Sequence, residues 1–475
     1  MITKSDFLLY LEAPLHLWAK ENNQLEKIVP TTYERHLMEQ GKDIEELAKA
    51  FLQAFLSARY TNPEITWQRT FTDGHFQARV DALLYDPERQ AYDIYEIKSS
   101  TSVKKVHKYD VTFQRLICEA NIPVQNVYIV NINKEYVRQG EVDLSQLFEV
   151  VKVDAEIDKL HEEVKKCRDE AWQVVSSATP SDIQECAKPK KCPCQKLCHP
   201  ELPEYPIYDL PRLNERKARD LKAQGILSIS DIPEGYPFSD RQNRDVEAVK
   251  SGGPVLDIYA IQGELAKLEY PLYFLDYETY NPGVPWHDGY KPYQHMVFQY
   301  SLHVFETQDS EPIHYEYLAI DDGDPGLKLV EHLSKHIGVI GSVVVWNKAF
   351  ESGRNKEMAK MYQEYSDVLL SINDRIFDLM EVFSKGYYVH PDFHGSASIK
   401  NVLPVLVQDY ALKYDELPIP KGDEAMMAWV SMMKDVLSQE EVEQTKQDLL
   451  HYCELDTMAM VKNWEAIDQL VHGTS

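Results

Sequence analysis

The stretch Pro271-Leu-Tyr-Phe-Leu-Asp-Tyr-Glu-Thr279 constrains the chain most. It is a short apolar run that ends in two carboxylates, Asp276 and Glu278. A run of this length between polar flanks reads as a buried strand. Residues two apart on a strand point to the same side. Two like charges on one side of a buried strand end repel each other and resist desolvation. A divalent cation relieves both costs, and carboxylate oxygens suit Mg²⁺ or Mn²⁺. The plainer alternative is a strand that has reached water, with two solvated acids.

Residues downstream favour the cation. Val343-Val-Val-Trp-Asn-Lys-Ala-Phe-Glu351 is a second apolar strand, running into Asn347 and Glu351. The helical segment His451-Tyr-Cys-Glu-Leu-Asp-Thr457 places Tyr452 and Asp456 four apart, on one helix face. Asp276, Glu278, Glu351 and Asp456 would then converge on two cations, the equipment for two-metal phosphodiester hydrolysis. Tyr452 would orient the attacking water or help to deprotonate it. With these residues the sequence resembles the DEDD exonucleases, a DnaQ-like family with an RNase H-like fold. Asp276-x-Glu278 matches the first motif, Asn347-x-x-x-Glu351 the second, and Tyr452-x-x-x-Asp456 the third in its tyrosine form. The second motif usually ends in Asp, and here it ends in Glu351. Asp378 is a spare acid for the same site, with a strand-end or cap carboxylate as its ordinary reading. Lys400, with the loop amides before it, is a candidate phosphate contact.

A second constellation lies near the start of the chain. Ile65–Phe71 and Phe76–Tyr85 flank Asp73-Gly74, a hairpin signal, and Tyr92–Lys98 follows as a third strand. Asp81 lies on one strand; Glu96 and Lys98 lie two apart on the next. Two acids can hold a divalent metal while the ammonium positions water or stabilises developing phosphoryl charge. A surface ladder of salt bridges is the alternative. The segment resembles the PD-(D/E)XK nucleases, in the RecB-like branch that includes CRISPR-associated exonucleases. Asp81 matches the first metal acid, and Glu96-x-Lys98 the second acid and the lysine. The resemblance implies that Gln114, on the following helix, contributes to the site. It also implies an accessory acid from the early helix, for which Glu45 and Glu46 are candidates.

Cys186, Cys192, Cys194 and Cys198 are four of seven cysteines, gathered within thirteen positions. A reducing interior disfavours disulfides, so a metal is the better reading, and thiolates suit zinc or an iron–sulfur cluster. The RecB-like resemblance implies a [4Fe–4S] cluster, with Zn²⁺ as the alternative. In that pattern the first cysteine precedes a proline early in the chain; here Ala13-Pro14 stands at that place, and Cys194 is an extra thiol that would replace the ligand.

A chain of 475 residues exceeds the roughly 250–300 at which single cores stop growing, so two domains are expected. The prolines at 200, 203, 206 and 211 read as a linker. The expected organisation is α/β, with two nuclease-type domains: 1–200 RecB-like with the cysteine cluster, 201–265 a Pro-rich and helical linker, and 266–475 RNase H-like. No apolar run approaches a membrane span, and the first residues lack a signal-peptide pattern, so a cytoplasmic protein is expected. The net charge of −27 argues against coating nucleic acid through a broad basic surface and leaves local strand contacts. The tandem order resembles an uncharacterised bacterial family that fuses these two nucleases. The resulting expectation is a metal-dependent exonuclease on single-stranded DNA, acting in DNA repair or defence. RNA is the alternative substrate. The other alternative is a nucleic-acid-binding protein in which one of the two domains is inactive.

Overall fold

The computed structural model describes residues 1–473 apart from 28, 410–416, 420 and 435. The chain forms two compact units. The first comprises Met1–Glu201 with Pro282–Gln294, and the second Leu202–Asn281 with His295–Ser475. The segment expected as a linker belongs to the second unit, where Ile207, Leu210, Leu221, Ile229 and Ile232 build a small apolar cluster.

The first unit is built on a six-stranded sheet: β1 (Ile2–Thr3), β2 (Glu64–Asp73), β3 (Phe76–Asp86), β4 (Ala91–Lys98), β5 (Val124–Ile132) and β6 (Phe148–Lys152). Its order is β1-β3-β4-β5-β6, with β2 also on β3. The hairpin turns at Asp73-Gly74, where Gly74 takes φ +56°. β4 and β5 are parallel, so the chain crosses over between them through the helix Lys105–Glu119. Apolar residues cover both sheet faces. One cluster centres on Phe7, Phe113 and Val127, the other on Ile44, Leu52 and Tyr95. The sequence suggests one amphipathic helix from Phe7 to Trp18. The structure has two, α1 (Lys4–Glu12) and α2 (Pro14–Glu21), because Pro14 cannot continue a helix but suits the first turn of the next.

The second unit holds a five-stranded sheet of order β10-β9-β8-β11-β12. Its strands, which follow the short strand β7 (Val255–Leu256) of the same unit, are β8 (Leu272–Tyr280), β9 (Met296–Phe305), β10 (Ile313–Leu318), β11 (Ser342–Val345) and β12 (Ile376–Asp378). β8, the strand of Asp276, is central. β9 pairs with it antiparallel and β11 parallel. Alternate residues of β8 feed two cores: Tyr273, Leu275 and Tyr277 one, Leu272 and Phe274 the other. The second core also takes Met460, Val461 and Ile467 from the long helix Gln439–His472. That helix starts at a capping box, Ser438 with Glu441, which satisfies backbone donors of its first turn. Among the described residues, no helix is long and apolar enough to cross a membrane.

Candidate metal centres

The centre of the second unit grows from β8. Asp276 and Glu278 share the face that carries Phe274, under the helix Gln439–His472. That helix supplies Asp456, and carboxylate oxygens of Asp276, Glu278 and Asp456 lie within 4.8 Å of one another. One turn earlier Tyr452, buried at 3% exposure, hydrogen-bonds Asp456. Burial pushes Asp276 and Glu278 well above the carboxylate range, and the charge of Asp456 adds to the effect in both. Lys400, at the start of the helix Ile399–Leu406, opposes the rise at Glu278, so it faces this centre.

Glu351 enters from the first turn of the helix Lys348–Met361 and is itself buried. Desolvation raises its carboxyl to about 8, with the neighbouring Asp378 charge contributing. Its Oε2 is buried with no hydrogen-bond partner among the described residues. Asp378 accepts from the backbone N–H groups of Lys348, at 3.0 Å, and Met380, at 3.1 Å. It thus fixes the start of the helix that carries Glu351. Asn347 occupies the N-cap position of that helix without a side-chain capping bond. Three clustered acids, two of them pushed well above the carboxylate range, with an orphaned carboxylate oxygen of Glu351 nearby, form a donor set that a divalent cation satisfies.

A polar network lies behind these acids. Gln299 donates to the Leu449 carbonyl at 2.7 Å, and the Thr457 hydroxyl meets Ser301 at 2.7 Å and His303 Nδ1 at 2.9 Å. All four side chains are buried, so Gln299 and His303 lock the helix to β9. His303, His314 and Glu454 also converge within 4.8 Å. A cavity of about 720 Å³ lies beside Glu454 and Lys462 and includes none of the β8 acids. Convergence of carboxylates, not cavity size, marks the centre.

The centre of the first unit lies where Asp81 and Glu96 extend the register that pairs Ala82 with Tyr95. Glu96 is 1% exposed, and its Oε1 accepts from both Lys98, at 2.8 Å, and Lys4, at 2.6 Å. Burial alone would raise Glu96, but the two ammonium groups hold it down to about 2. Asp81 has no such partner in contact. Desolvation, reinforced by the Glu96 charge, lifts it to about 7. Glu96 Oε2 is buried and without a partner among the described residues. Lys98 also binds Asp110 at 2.6 Å, and Gln114 donates to Asp110 at 2.8 Å. Gln114 therefore reaches the centre through Asp110, not directly. Two cavities flank these residues. One of about 370 Å³ is lined by Lys4, Arg79 and Asp81, and one of about 440 Å³ by Lys98, Lys104 and His107.

Of the two candidate accessory acids, Glu45 is the one linked to Asp81, through Gln68. Glu46 is exposed and pairs with Lys49. The Gln68 amide donates at 3.2 Å to both Glu45 and Asp81. Gln68 holds φ +52°, a region that non-glycine residues rarely adopt. Such strain clusters at functional sites. Sequence reasoning missed Lys4, Gln68 and Asp110. Asp110 alone left a signal, since it precedes Gln114 by one helical turn.

The four clustered cysteines are buried together with Ala13 and Trp18 of the first two helices. Cys192 Sγ lies 3.4 Å from His16 Nε2, Cys194 Sγ 3.6 Å from Cys198 Sγ, and Cys186 Sγ 3.3 Å from His199 Nε2. Donor atoms of His16, Cys186, Cys192 and Cys198 all lie within 4.8 Å of one another.

Comparison with known proteins yields similarity without an activity. Residues 273–398 match a domain of unknown function, DUF2779. The matched span includes Asp276, Glu278, Glu351 and Asp378, and stops short of Tyr452 and Asp456. The chain is 29% identical over 210 residues to the uncharacterized protein MG366 of Mycoplasma genitalium, covering 41% of this chain and 32% of that one. It is 27% identical over 213 residues to the uncharacterized protein UU173 of Ureaplasma parvum, covering 41% and 31%. The match thus spans about a third of the length of these curated relatives. No solved structure matches.

Proposed function

We propose that the chain is a divalent-metal-dependent nuclease, an exonuclease on single-stranded DNA, with RNA as the alternative substrate. The observation that carries this reading is the convergence of Asp276, Glu278 and Asp456 within 4.8 Å, with Glu351 buried beside them. The four acids belong to three separated segments and meet at the end of a central strand. There β8 pairs antiparallel with β9 on one side and parallel with β11 on the other. That placement supports an RNase H-like reading of the second unit, and the Asp81, Glu96 and Lys98 cluster supports a RecB-like reading of the first.

In the second unit Asp276, Glu278, Glu351 and Asp456 would hold Mg²⁺ or Mn²⁺, which supplies an acidified water and charge neutralisation at the phosphoryl group. Tyr452 positions that water. Burial pushes its phenol well above the usual range, so it stays protonated and acts as a hydrogen-bond donor rather than a base. Lys400 stands on the Glu278 side, where it attracts the phosphate backbone. In the first unit Asp81 and Glu96 are the metal acids and Lys98 the charge-stabilising group. The cavity lined by Lys98, Lys104 and His107 offers the local basic surface that a strongly acidic chain needs to approach a strand.

One observation favours a division of labour. Glu96 already carries two ammonium groups, whereas Asp276 is raised by the charges of Asp456, Glu278 and Glu351. A cation therefore gains more in the second unit, and the second reading makes the first unit a strand-binding module. The test is incubation of end-labelled single-stranded DNA and RNA with Mg²⁺, Mn²⁺ or a chelator. Release of short products from one polymer, abolished by the chelator, is the expected result. Intact polymers with either metal would overturn the nuclease reading.

A further inference from the structure

The sulfur-rich group stands apart from the acids and does not depend on the nuclease reading. Its four donors come from two places: His16 from α2, and Cys186, Cys192 and Cys198 from a segment more than 160 residues later. All four side chains are buried. Three thiols and an imidazole gain nothing from one another as a dry cluster, because thiols are weak donors and weak acceptors. Deprotonated on a soft cation, the same groups form a strong ligand set.

The spacing discriminates between two kinds of centre. In a [4Fe–4S] cube each thiolate binds its own iron and is held apart from the others by the cube between them. On a single ion the donors sit at the corners of a tetrahedron, and Zn–S bonds of about 2.3 Å give an edge of about 3.8 Å. The four donor atoms here all lie within 4.8 Å of one another, and His16 Nε2 is 3.4 Å from Cys192 Sγ. That leaves room for one ion and none for a cube. The iron–sulfur cluster implied by the RecB-like resemblance does not fit these residues.

His16 also has the surroundings of a ligand. Its Nε2 faces the thiols, while its buried Nδ1 has no hydrogen-bond partner among the described residues and points to the Glu12 carboxylate 3.9 Å away. A carboxylate behind the second ring nitrogen fixes the tautomer and orientation of a metal-bound histidine. An alanine, Ala13, stands where the early cysteine is expected, and three residues further on His16, inside α2, offers a donor. We propose that His16, Cys186, Cys192 and Cys198 bind one tetrahedral zinc ion that fastens α2 to the 186–198 segment. Cys194, 4.0 Å from Cys192 and 3.6 Å from Cys198, packs against the site as a thiol and is not required.

The test is elemental analysis of the full chain purified without added metal, under anaerobic conditions, together with its visible spectrum. One zinc per chain, with no inorganic sulfide and no charge-transfer band, is the expected result. Iron with sulfide and a visible band, or no bound metal, overturns the proposal. His16→Ala should weaken zinc retention against a chelator by about tenfold or more, and His16→Cys should restore it. Cys194→Ser should leave retention unchanged. Loss of zinc in Cys194→Ser with retention in His16→Ala would assign the fourth ligand to Cys194 and overturn the role of His16.

Discussion

Tyr452 and Lys98 show what burial does to a single side chain. The phenol of Tyr452 is raised by burial and by the acids around it, so its contribution is a directed O–H. Tyr452→Phe should lower turnover by about a hundredfold while leaving Mn²⁺ affinity unchanged. Steady-state rates beside a Mn²⁺ titration check this, and equal loss of both would make Tyr452 a structural residue. Lys98 is a different case. Burial lowers its affinity for a proton, but Glu96 and Asp110 outweigh that and hold it charged. Lys98→Ala leaves the buried Asp110 carboxylate without its cation, and Glu96 with Lys4 alone, and should destabilise the first unit by about 3–5 kcal/mol, measured by chemical denaturation. Asp276, Glu278, Glu96 and Asp456 were legible in the sequence because their i, i+2 and i, i+4 spacings survive folding unchanged, whereas Asp110 was missed. Lys4 and Gln68 were missed too, since neither carries a spacing that ties it to Glu96 or Asp81. His16 was hidden for another reason: the expected donor stood at Ala13, three residues earlier.

At the scale of elements, the long helix Gln439–His472 positions the second centre. Its alignment depends on Thr457, whose hydroxyl serves both Ser301 and His303 in a dry interface. Thr457→Val keeps the shape but leaves the buried His303 Nδ1 without its partner and Ser301 with His314 alone. It should cost about 1–3 kcal/mol and reduce turnover by loosening Asp456, one residue away. Thermal melting together with activity checks this; a variant as stable and as active as the parent would remove the network from the account. Strands β2 to β5 and the helix Lys105–Glu119 follow directly from period and turn residues. The break at Pro14 was missed because the apolar pattern runs across it, and the Pro282–Gln294 segment because no local pattern says which unit a loop joins.

At the scale of the whole molecule, proton and cation binding are linked. Asp81 titrates at about 7 and Glu351 at about 8, far above the roughly 4 of unfolded Asp and Glu. Between about pH 4 and 8 the folded, metal-free chain therefore holds protons that the unfolded chain has released, and stability falls as pH rises through that window. A cation displaces those protons, so its stabilising effect grows with pH. Melting curves with Mn²⁺ and with chelator should diverge as pH rises from about 5 to 8. A Mn²⁺ effect that is constant or shrinks over that range would contradict the assignment. If the β8 acids form the hydrolytic centre, cleavage depends on Asp276 and Glu278 and not on Asp81. Single-stranded DNA and RNA, each end-labelled, are incubated in Mn²⁺ with the parent chain, with Asp81→Asn, and with Asp276→Asn combined with Glu278→Gln. Loss of cleavage in the β8 double variant, with its melting temperature retained, is the predicted result. Undiminished cleavage by that variant would contradict the account and move hydrolysis to the first unit.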